Sequence, residues 1–453
     1  MTSQDTIVAQ ATPIGISSVG ILRISGSKTR MLTKIILGKI PIPRYATFSL
    51  FKNQNNNVLD HGIAIWFPAP NSFTGEDVLE LQGHGSPIVL DLLIKNIISI
   101  PGVRIANPGE FSERAFLNNK LDLIQAEAIA DLIHATSEKA AQLSLESLTG
   151  IFSKEINNLM QKITTLQVEI EGSINFIELE ENNFSQDHIV NILNDILNHC
   201  KNIELKSKRG SIFREKIKIV ITGEPNVGKS SLFNALCGSN TAIVTNIKGT
   251  TRDTLKEYIN IHNVTFQLVD TAGLHQTKDE IDSIGIERAW QEINKSDHII
   301  FVMSATDSVI KQKKIYLQYI DLFPKNCSIT ILINKTDLLK RKNTFLENQQ
   351  YPVLYVSSLT LDGFNQLNQH FITLLGMHND TEGIFLARRR HLNKLHQINK
   401  ILSKTKKNWL ICQNIELLAE DINIVQKKLG EITGTVSNEK LLDNIFSTFC
   451  LGK

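Results

Sequence analysis

The chain has 453 residues, more than a single hydrophobic core normally organises, so about two to four domains are expected. It is 42% hydrophobic and 21% charged, as in ordinary soluble proteins. Its 48 basic and 46 acidic residues nearly balance, which excludes a strong overall electrostatic field that would attract nucleic acid. Five scattered cysteines without a CxxC pair, and no apolar run near the roughly 20 residues of a membrane span, predict a cytoplasmic protein without stable membrane association.

The first part of the chain, up to about residue 118, has short apolar runs separated by Gly and Pro. Runs at residues 7–9 and 63–67 predict strands, and residues 87–98 predict a helix. The asparagine-rich residues 53–57 predict a solvated loop tip. This segment is therefore expected to be an α+β domain.

Residues 121–205 are almost free of Pro and have apolar positions at three- and four-residue steps, which predicts helices. Residues 220–375 instead alternate strands (218–222, 266–269, 299–303 and 329–333) with helices, as in a doubly wound sheet. Residues 384–449 are again predicted helical. We therefore divide the chain into residues 1–118, 119–212, 213–376 and 377–453, with the α/β part inserted between two helical parts that pack together.

A phosphate-binding loop is predicted at residues 223–230, GEPNVGKS, which match GxxxxGK[ST] between a strand and a helix. Its glycines let backbone N–H groups face phosphates, Lys229 supplies charge, and the Ser230 hydroxyl can ligate Mg²⁺. The alternative is a glycine turn without function.

Two further segments complete a phosphate site. Asp270 begins DTAG at the end of a strand, where a carboxylate holds Mg²⁺ through water and the Gly273 amide can sense the γ-phosphate. Thr251, in GTTRD at residues 249–253, is predicted to provide the second hydroxyl on Mg²⁺. Leu274 occupies the position where Ras-type GTPases have a water-positioning glutamine, and leucine cannot do this.

The base is predicted to be guanine. NKTD at residues 334–337 follows a strand, and the Asp337 carboxylate can accept hydrogen bonds from the ring N–H and the amino group of guanine, whereas adenine would leave it unpaired. Ser357 and Ser358 provide the matching support. The residues thus predict a GTP-binding and GTP-hydrolysing protein.

The chain resembles the MnmE (TrmE) family of bacterial tRNA-modification GTPases over essentially its full length. Besides the nucleotide motifs, the resemblance rests on the following segments: 5–7, 20–26, 73–77, 83–85, 108–118, 120–127, 285–290, 429–434 and 445–453. It implies a multidomain α/β protein with an N-terminal α+β folate-binding and dimerising domain, a discontinuous α-helical domain and an inserted Ras-like P-loop G domain.

The family resemblance also implies an activity and partners. Family members act with the flavoprotein MnmG (GidA), which carries FAD, and add a carboxymethylaminomethyl or aminomethyl group to C5 of the wobble uridine of certain tRNAs. The one-carbon donor is 5-formyl- or 5,10-methylene-tetrahydrofolate. The implied cofactors are thus GTP, Mg²⁺, K⁺ and the folate, and the implied partners are a second copy of the chain, MnmG and tRNA.

The motifs and the resemblance together give a set of predicted site residues. The predicted GTP-binding residues are Asn226, Val227, Gly228, Lys229, Ser230, Ser231, Thr245, Asn246, Ile247, Lys248, Gly249, Thr250, Thr251, Asp270, Thr271, Ala272, Gly273, Asn334, Lys335, Asp337, Ser357 and Ser358. Ser230 and Thr251 are the predicted Mg²⁺ ligands. Asn226, Thr245, Ile247 and Thr250 match the positions that coordinate K⁺ in the family, although Asn226 could also be a plain turn residue.

The implied folate contacts are Arg23, Glu80, Lys120 and Lys453, because a carboxylate suits the amino-pyrimidine edge of the pterin and basic side chains suit the glutamate tail. From the residues alone, a surface charge at the end of a strand is the more common role for a residue such as Arg23. Cys450 matches a family cysteine close to the folate, but a lone cysteine is ordinarily a buried thiol.

The family's catalytic glutamate is replaced here by Asp282 in DEIDS, residues 279–283, which shortens the reach by about 1.5 Å. We expect Asp282 to orient water with slower hydrolysis, and Glu280 is the next candidate. The alternative is that this acidic cluster is a solvated loop or helix start.

Two alternatives stay open at the level of sequence. A regulatory or ribosome-assembly GTPase without modification chemistry would share every nucleotide motif, and the N-terminal segment and the ending at residues 450–453 argue against it. Basic clusters at residues 206–209, 388–391 and 404–407 could contact tRNA phosphates, or could be solvated helix faces.

Overall fold

A computed structural model describes residues 5–175, 186–239, 241–242, 256–271, 274, 280–325, 327–339, 350–375, 383–436, 439–449 and 452. Its contacts divide the chain into two units. The first contains residues 1–134, 144–203 and 393–453, and the second contains residues 135–143 and 204–392. The four predicted segment boundaries stay a prediction. No helix in the described part is long and apolar enough to cross a membrane.

The first unit begins with a six-stranded sheet in the order β3-β4-β5-β2-β1-β6. All neighbouring strands are antiparallel except β1 and β6, which are parallel. The strands are β1 (Thr6–Gln10), β2 (Ser17–Ser25), β3 (Thr47–Lys52), β4 (Val58–Phe67), β5 (Val78–Gly85) and β6 (Val103–Ile105). Three helices accompany them: α1 (Thr29–Leu37), α2 (Pro87–Ile98) and α3 (Glu110–Leu117). The predicted α+β domain is therefore present.

The core of this sheet lies between its inward-facing strand residues and helices α1 and α2. Leu22 and Ile24 of β2 alternate with outward positions, as a half-buried strand requires, and pack in one cluster with Leu32 of α1 and Leu90 of α2. Residues 53–57 connect β3 to β4 as an exposed loop, and the Asn53 side chain accepts hydrogen bonds from two backbone N–H groups of this loop. The prediction of a loop tip is confirmed.

The rest of the first unit is helical. The helices that lie wholly or partly in it are α4 (Leu123–Ile133), α5 (Glu138–Leu148), α6 (Ile151–Asn175), α7 (Gln186–Ser211), α12 (Arg389–Cys412), α13 (Ile415–Thr433) and α14 (Glu439–Phe446). Residues 384–388, predicted helical, precede α12 and are not helical.

Helices α6 and α13 show why the two helical parts form one core. On α6 the fully buried side chains recur every three or four residues and form a single stripe: Phe152, Ile156, Leu159, Ile163, Leu166 and Ile170. Helix α13 packs against α6 and buries Ile422, Val425 and Leu429. Helices before and after the inserted domain therefore pack together, as predicted.

The second unit contains a seven-stranded sheet in the order β13-β12-β11-β7-β10-β9-β8. Its strands are β7 (Ile217–Gly223), β8 (Thr241–Ala242), β9 (Lys256–Ile261), β10 (Val264–Asp270), β11 (His298–Ser304), β12 (Ser328–Asn334) and β13 (Val353–Tyr355). Strands β13, β12, β11, β7 and β10 run parallel to one another, and at one edge β9 is antiparallel to β10 and β8 is antiparallel to β9. The helices are α8 (Lys229–Ser239), α9 (Glu280–Asn294), α10 (Val309–Tyr319) and α11 (Phe364–Leu374), with 3₁₀ turns at Ile320–Leu322 and Thr336–Leu338.

Successive residues of the central strand β7 face two different cores. Ile219 and Ile221 pack with residues of α8 and α11, whereas Val220 packs on the other face with residues of α9 and α10. Helices thus cover both faces of the sheet, so its strands are continuous apolar runs. The prediction of a doubly wound sheet is confirmed. The carboxyl ends of its parallel strands form the edge at which such sheets bind ligands.

Candidate functional site

The phosphate-binding loop lies at the carboxyl end of β7 and leads directly into α8. Two glycines make its path possible. Gly223 has φ +149°, and a Cβ there would lie 2.3 Å from the carbonyl oxygen of Val302. Gly228 has φ +93°, and a Cβ there would lie 2.5 Å from Nδ2 of Asn334. Side chains at either position would collide with the sheet or with the guanine-recognition motif, so the close packing of this loop depends on both glycines.

Lys229 is the first residue of α8, and its ammonium group lies inside the loop. Its Nζ donates a hydrogen bond of 2.8 Å to the carbonyl oxygen of Glu224, and the residue is only 8% exposed. Burial lowers the pKa of Lys229, and the nearby Asp270 carboxylate opposes this shift. A buried cation beside backbone N–H groups at a helix start is suited to bind phosphate oxygens.

Ser230 and Asp270 lie together next to this cation. The Ser230 hydroxyl donates a 2.8 Å hydrogen bond to Oδ2 of Asp270. Burial raises the pKa of Asp270, whereas Ser230, Lys229 and the Thr271 backbone lower it to a smaller extent. Oδ1 of Asp270 is buried and has no hydrogen-bond partner in the described part of the chain. A carboxylate oxygen and a hydroxyl are hard ligands, so the arrangement fits Mg²⁺.

Two residues of the NKTD motif hold the phosphate-binding loop from the side. Asn334 Nδ2 donates to the carbonyl oxygens of Val227 at 3.1 Å and Gly228 at 3.3 Å. Lys335 Nζ donates to the carbonyl oxygen of Asn226 at 2.6 Å. Three consecutive loop carbonyls are thus fixed by the base-recognition motif. The motif predicts contacts to the nucleotide, and it does not indicate that Asn334 and Lys335 also position the loop.

The remaining base-recognition residues form one network. Ser357 donates from Oγ to Oδ1 of Asp337 at 2.6 Å. Oδ1 of Asn334 accepts hydrogen bonds from the backbone N of Ser358 at 3.1 Å and from its Oγ at 2.9 Å. Ser357 is fully buried, while Asp337 is exposed to solvent. The Asp337 carboxylate is therefore oriented and accessible to a base.

The segment after β10 is held against the sheet. The hydroxyl of Thr271 donates to the carbonyl oxygen of Ile221 at 2.9 Å. The backbone N of Leu274 donates to the carbonyl oxygen of Gly223, and the hydroxyl of Tyr319 donates to the carbonyl oxygen of Leu274. Leu274 is 1% exposed and belongs to the core, so the structure shows a packing role for this residue and none in orienting water.

Several predicted site residues lie outside the described residues. These are Thr245, Asn246, Ile247, Lys248, Gly249, Thr250, Thr251, Ala272, Gly273, Cys450 and Lys453. Asp282 lies in helix α9, but its side chain lies outside the description. Of the four predicted K⁺ positions only Asn226 is described, in a left-handed conformation with φ +64°.

Replacing Asn334 by alanine is expected to weaken nucleotide binding and to lower the thermal stability of the α/β domain. Asn334 is 1% exposed, and its loss would leave the buried carbonyl of Val227 without this donor and the Ser358 groups without their acceptor, at about 1–3 kcal/mol. Titration of a fluorescent GDP analogue and a thermal melt measure both effects. Asn365→Ala, an exposed position on α11, is the matched control. Equal affinity in the Asn334 variant would contradict the positioning role.

The predicted folate contacts occupy the first unit. Oε1 of Glu80 on β5 accepts hydrogen bonds from Nε and Nη2 of Arg23 on β2, at 2.9 and 2.7 Å. Nη1 of Arg23 donates to the carbonyl oxygen of Gly452 at 3.3 Å. The guanidinium also lies over the rings of Phe73 and Phe111, 5.6 and 5.9 Å from their centroids. Arg23 is therefore a partly buried, fully engaged group and not a surface charge.

Lys120 contacts the same neighbourhood of the N-terminal domain. Its Nζ donates a 2.9 Å hydrogen bond to the carbonyl oxygen of Pro70. Its side chain also approaches Gly75, where a Cβ would lie 3.4 Å from the lysine Cγ. Arg23 and Lys120 thus both contact the connection between β4 and β5, since Phe73 lies in this connection. The structure brings Arg23, Glu80 and Gly452 together. Lys120 follows α3 and contacts the connection between β4 and β5.

Two family models match the chain. The one described as "MnmE helical domain" matches residues 123–450, and the one described as "GTP-binding protein TrmE N-terminus" matches residues 6–120. Together with the two sheets, they show the predicted architecture of an N-terminal TrmE domain, a helical domain and an inserted Ras-like P-loop G domain.

Solved structures are similar to part of the chain. The G domain of the T. maritima FeoB iron transporter is 24% identical, with a TM-score of 0.29, and covers 36% of this chain and 100% of its own. A point variant of Aquifex aeolicus Era bound to GDP·AlF₄⁻ is 25% identical, with a TM-score of 0.30, over 41% of this chain and 67% of its own.

A full-length relative is much more similar. The tRNA modification GTPase MnmE of Proteus mirabilis (strain HI4320) is 48% identical over 454 residues, which is 100% of both chains. The two family models and this relative span the N-terminal, helical and G-domain parts alike. With a nucleotide site that combines a phosphate loop and a guanine motif, the chain belongs to the MnmE (TrmE) family and is a GTP hydrolase of tRNA modification.

Proposed function

We propose that the enzyme is a potassium-activated GTPase that acts with a flavoprotein of the MnmG (GidA) type. Together they add a carboxymethylaminomethyl or aminomethyl group to C5 of the wobble uridine of certain tRNAs. The one-carbon donor is 5-formyl- or 5,10-methylene-tetrahydrofolate, and FAD belongs to the partner. The enzyme works as a homodimer in the cytoplasm, where its tRNA substrate is found. The full-length similarity to a tRNA modification GTPase supports this reaction.

The observation that best supports folate binding is the hydrogen bond from Arg23 to Gly452. It joins residues 429 positions apart, so that Gly452 lies beside Arg23, which also binds Glu80. Both bonds from Arg23 to Glu80 reach Oε1, and no hydrogen bond to Oε2 is found among the described residues. Oε2 is therefore available to accept from the amino-pyrimidine edge of a pterin, so the residues present fit the folate.

GTP would be held by the two motifs that the structure joins. Lys229 and the backbone N–H groups at the start of α8 would face the phosphates, and Asp337, supported by Ser357, would accept from guanine. Ser230 and Thr251 would ligate Mg²⁺, with Asp270 holding it through water. The ion would counter the charge of the β and γ phosphates. A potassium ion at Asn226, Thr245, Ile247 and Thr250 would supply further positive charge there, in place of an arginine finger.

The potassium part has a direct measurement. Hydrolysis rates are compared in KCl and NaCl at equal ionic strength and at protein concentrations that favour or disfavour the dimer. A faster rate in KCl that increases with dimer formation is expected, because bridging of two G domains completes the cation site. Equal rates with the two salts would indicate that Asn226 is only a turn residue and does not bind K⁺.

Asp282 is proposed to orient the attacking water from helix α9. Asp282→Ala is then expected to slow hydrolysis by about 10²-fold while GTP affinity stays unchanged, since the group acts only in the chemical step. Asp282→Glu, which restores the missing methylene, is expected to be at least as fast as the parent. The single-turnover rate with pre-bound GTP measures this effect. If Asp282→Ala keeps the parental rate, Glu280→Ala is the next variant.

The whole proposal is tested in cells that lack the gene. Bulk tRNA is digested and its wobble-uridine nucleosides are quantified by mass spectrometry, with complementation by the intact gene and by the Lys229→Ala variant. Loss of the C5 aminomethyl derivatives, restored only by the intact gene, is the expected result. Unchanged nucleosides would refute the modification role and leave a GTPase of the regulatory or assembly type.

Replacing Arg23 by alanine is expected to weaken tetrahydrofolate binding by about 10-fold or more. The guanidinium makes charged hydrogen bonds that fix Glu80, and without them this carboxylate loses its orientation toward the ligand. Calorimetric titration with 5-formyl-tetrahydrofolate provides the measurement. Arg30→Ala, on the exposed side of α1, is the matched control. If the folded Arg23 variant binds the folate as tightly as the parent does, Arg23 does not contribute to folate binding.

A further inference from the structure

A second cluster of ligand-type side chains lies on the N-terminal sheet. Asp60 and His61 belong to β4 and His84 belongs to β5. Each contributes one carboxylate or imidazole atom, and these atoms all lie within 4.8 Å of one another. His84 is four residues from Glu80 along β5, about 13 Å at the rise of a strand. The cluster is thus distinct from the predicted folate contacts.

Asp60 fixes the position of His84. Its side chain is 6% exposed. Oδ2 accepts from the backbone N of His84 at 2.9 Å, and Oδ1 lies 2.7 Å from the Nδ1 atom of the same residue. Burial acts to raise the pKa of Asp60, but hydrogen bonds from the His84 side chain and from the backbones of His84 and His61 outweigh it, so the net pKa lies below its usual value of 3.8. The group is a buried carboxylate anion.

Gly83 makes room for this carboxylate. A Cβ at position 83 would lie 2.3 Å from Oδ2 of Asp60 and 3.2 Å from the ring of Phe51. Any larger residue at this position would displace the carboxylate. The buried anion is therefore part of the packing of the sheet and would not need to be assembled when a ligand binds.

The two imidazoles face solvent side by side. Their ring centroids are 5.1 Å apart with an interplanar angle of 72°, and the His84 side chain is 60% exposed. His61 is exposed as well, and its ring contacts Phe48 with 5.8 Å between centroids. An ion from solution can therefore reach both rings, and the buried Asp60 carboxylate has an oxygen within 4.8 Å of a nitrogen of each ring.

We propose that Asp60, His61 and His84 form a binding site for a divalent transition-metal ion, with Zn²⁺ as the best chemical match. Two imidazole nitrogens and one carboxylate oxygen are ordinary zinc ligands, at about 2.0–2.2 Å. Two imidazoles favour Zn²⁺ over the oxygen-preferring Mg²⁺ and Ca²⁺. Three protein ligands leave one tetrahedral position for water.

The geometry needs only small side-chain movements. Ligand atoms around tetrahedral Zn²⁺ lie about 3.3 Å apart, given Zn–N distances of about 2.0 Å. The 2.7 Å contact between Oδ1 of Asp60 and Nδ1 of His84 would have to open slightly, and the separations of up to 4.8 Å would have to close. Rotation of the two exposed rings supplies both changes, while Oδ2 of Asp60 keeps its bond to the His84 backbone.

The test uses the full-length protein, stripped of metal with a chelator and kept nucleotide-free in millimolar Mg²⁺. Zn²⁺ is titrated by calorimetry, and Co²⁺ is titrated as a spectroscopic substitute whose visible absorption reports coordination by these ligands. One Zn²⁺ per chain is expected at this site. His61→Ala and His84→Ala should each weaken binding by about 10-fold or more, as loss of a metal-site group does. His188→Ala, an exposed histidine of α7 outside the cluster, is the matched control.

The His61→Ala variant gives the clearest test of metal binding, because the His61 side chain is exposed and its loss leaves the hydrogen bonds between Asp60 and His84 in place. Its circular dichroism and GTP hydrolysis rate should equal those of the parent. Parental Zn²⁺ affinity in both histidine variants would overturn the proposal. So would the absence of Zn²⁺ uptake by the parent, which would leave a hydrogen bond between Asp60 and His84 with the His61 ring edge-on beside it.

Discussion

Replacing Lys229 by alanine is expected to reduce the rate of GTP hydrolysis by about 10³-fold, because it removes a positive charge that binds phosphate oxygens in a partly dry loop. The ammonium is buried, and its only hydrogen bond among the described residues is to the carbonyl oxygen of Glu224, which GTP phosphates can replace. Burial already lowers the pKa of Lys229, so an anionic ligand also stabilises its charged form.

The Lys229 measurement is a steady-state phosphate-release assay with the parent, Lys229→Ala and Lys311→Ala. Lys311 lies on α10 of the same domain and pairs with Asp307 at the surface, so its loss controls for a change of net charge. Nucleotide affinity is measured in parallel, which separates weaker binding from a slower chemical step. A Lys229 variant with more than about a tenth of the parental rate would contradict the assignment of this loop.

Replacing Asp337 by asparagine is expected to change the preferred nucleotide from GTP to xanthosine triphosphate. Both carboxylate oxygens of Asp337 accept hydrogen bonds, whereas asparagine has one acceptor and one donor. Guanine presents two donors to this residue, but xanthine has a carbonyl in place of the amino group and therefore matches asparagine. We expect GTP affinity to fall by about 10³-fold, since a site built for specific hydrogen bonds strongly disfavours a mismatched partner.

The Asp337 experiment compares binding and hydrolysis of GTP and xanthosine triphosphate. Ser357 can adjust to the substitution because its hydroxyl, which donates to Asp337 at 2.6 Å, can also accept. Asp321→Asn, an exposed acidic position in the same domain, is the control and should keep the parental preference. If the Asp337 variant still binds GTP as well as the parent does, the base must be recognised elsewhere.

The doubly wound sheet could be predicted because its strands are continuous apolar runs followed by short motifs with fixed chemistry. The strand predicted at residues 329–333 is β12 (Ser328–Asn334), and NKTD begins at its last residue as expected. The stripe of buried apolar residues on α6 could be predicted for a similar reason, since a period near 3.6 residues is a local property of the sequence.

Contacts between distant segments could not be predicted in the same way. Neither composition nor spacing indicates that Lys335 reaches the carbonyl of Asn226, because that bond depends on the order of strands in the sheet. The cluster of His61 and His84 was also missed, since its residues come from strands whose pairing register is set by the whole N-terminal sheet. Residues 384–388 were included in the predicted helical segment, and they instead precede α12.

The hydrogen bond from Arg23 to Gly452 can form only after the segment between these two residues has been synthesised. The two residues are 429 positions apart, and a ribosome needs about 20–90 s to synthesise that length. During this interval β2 can pair with its neighbouring strands, but Arg23 lacks one of its partners. The hydrogen-bonded surroundings of Glu80 are therefore completed by a residue that is translated long after β2 and β5, and a nascent or truncated chain would have the N-terminal sheet before Arg23 gains its bond to Gly452.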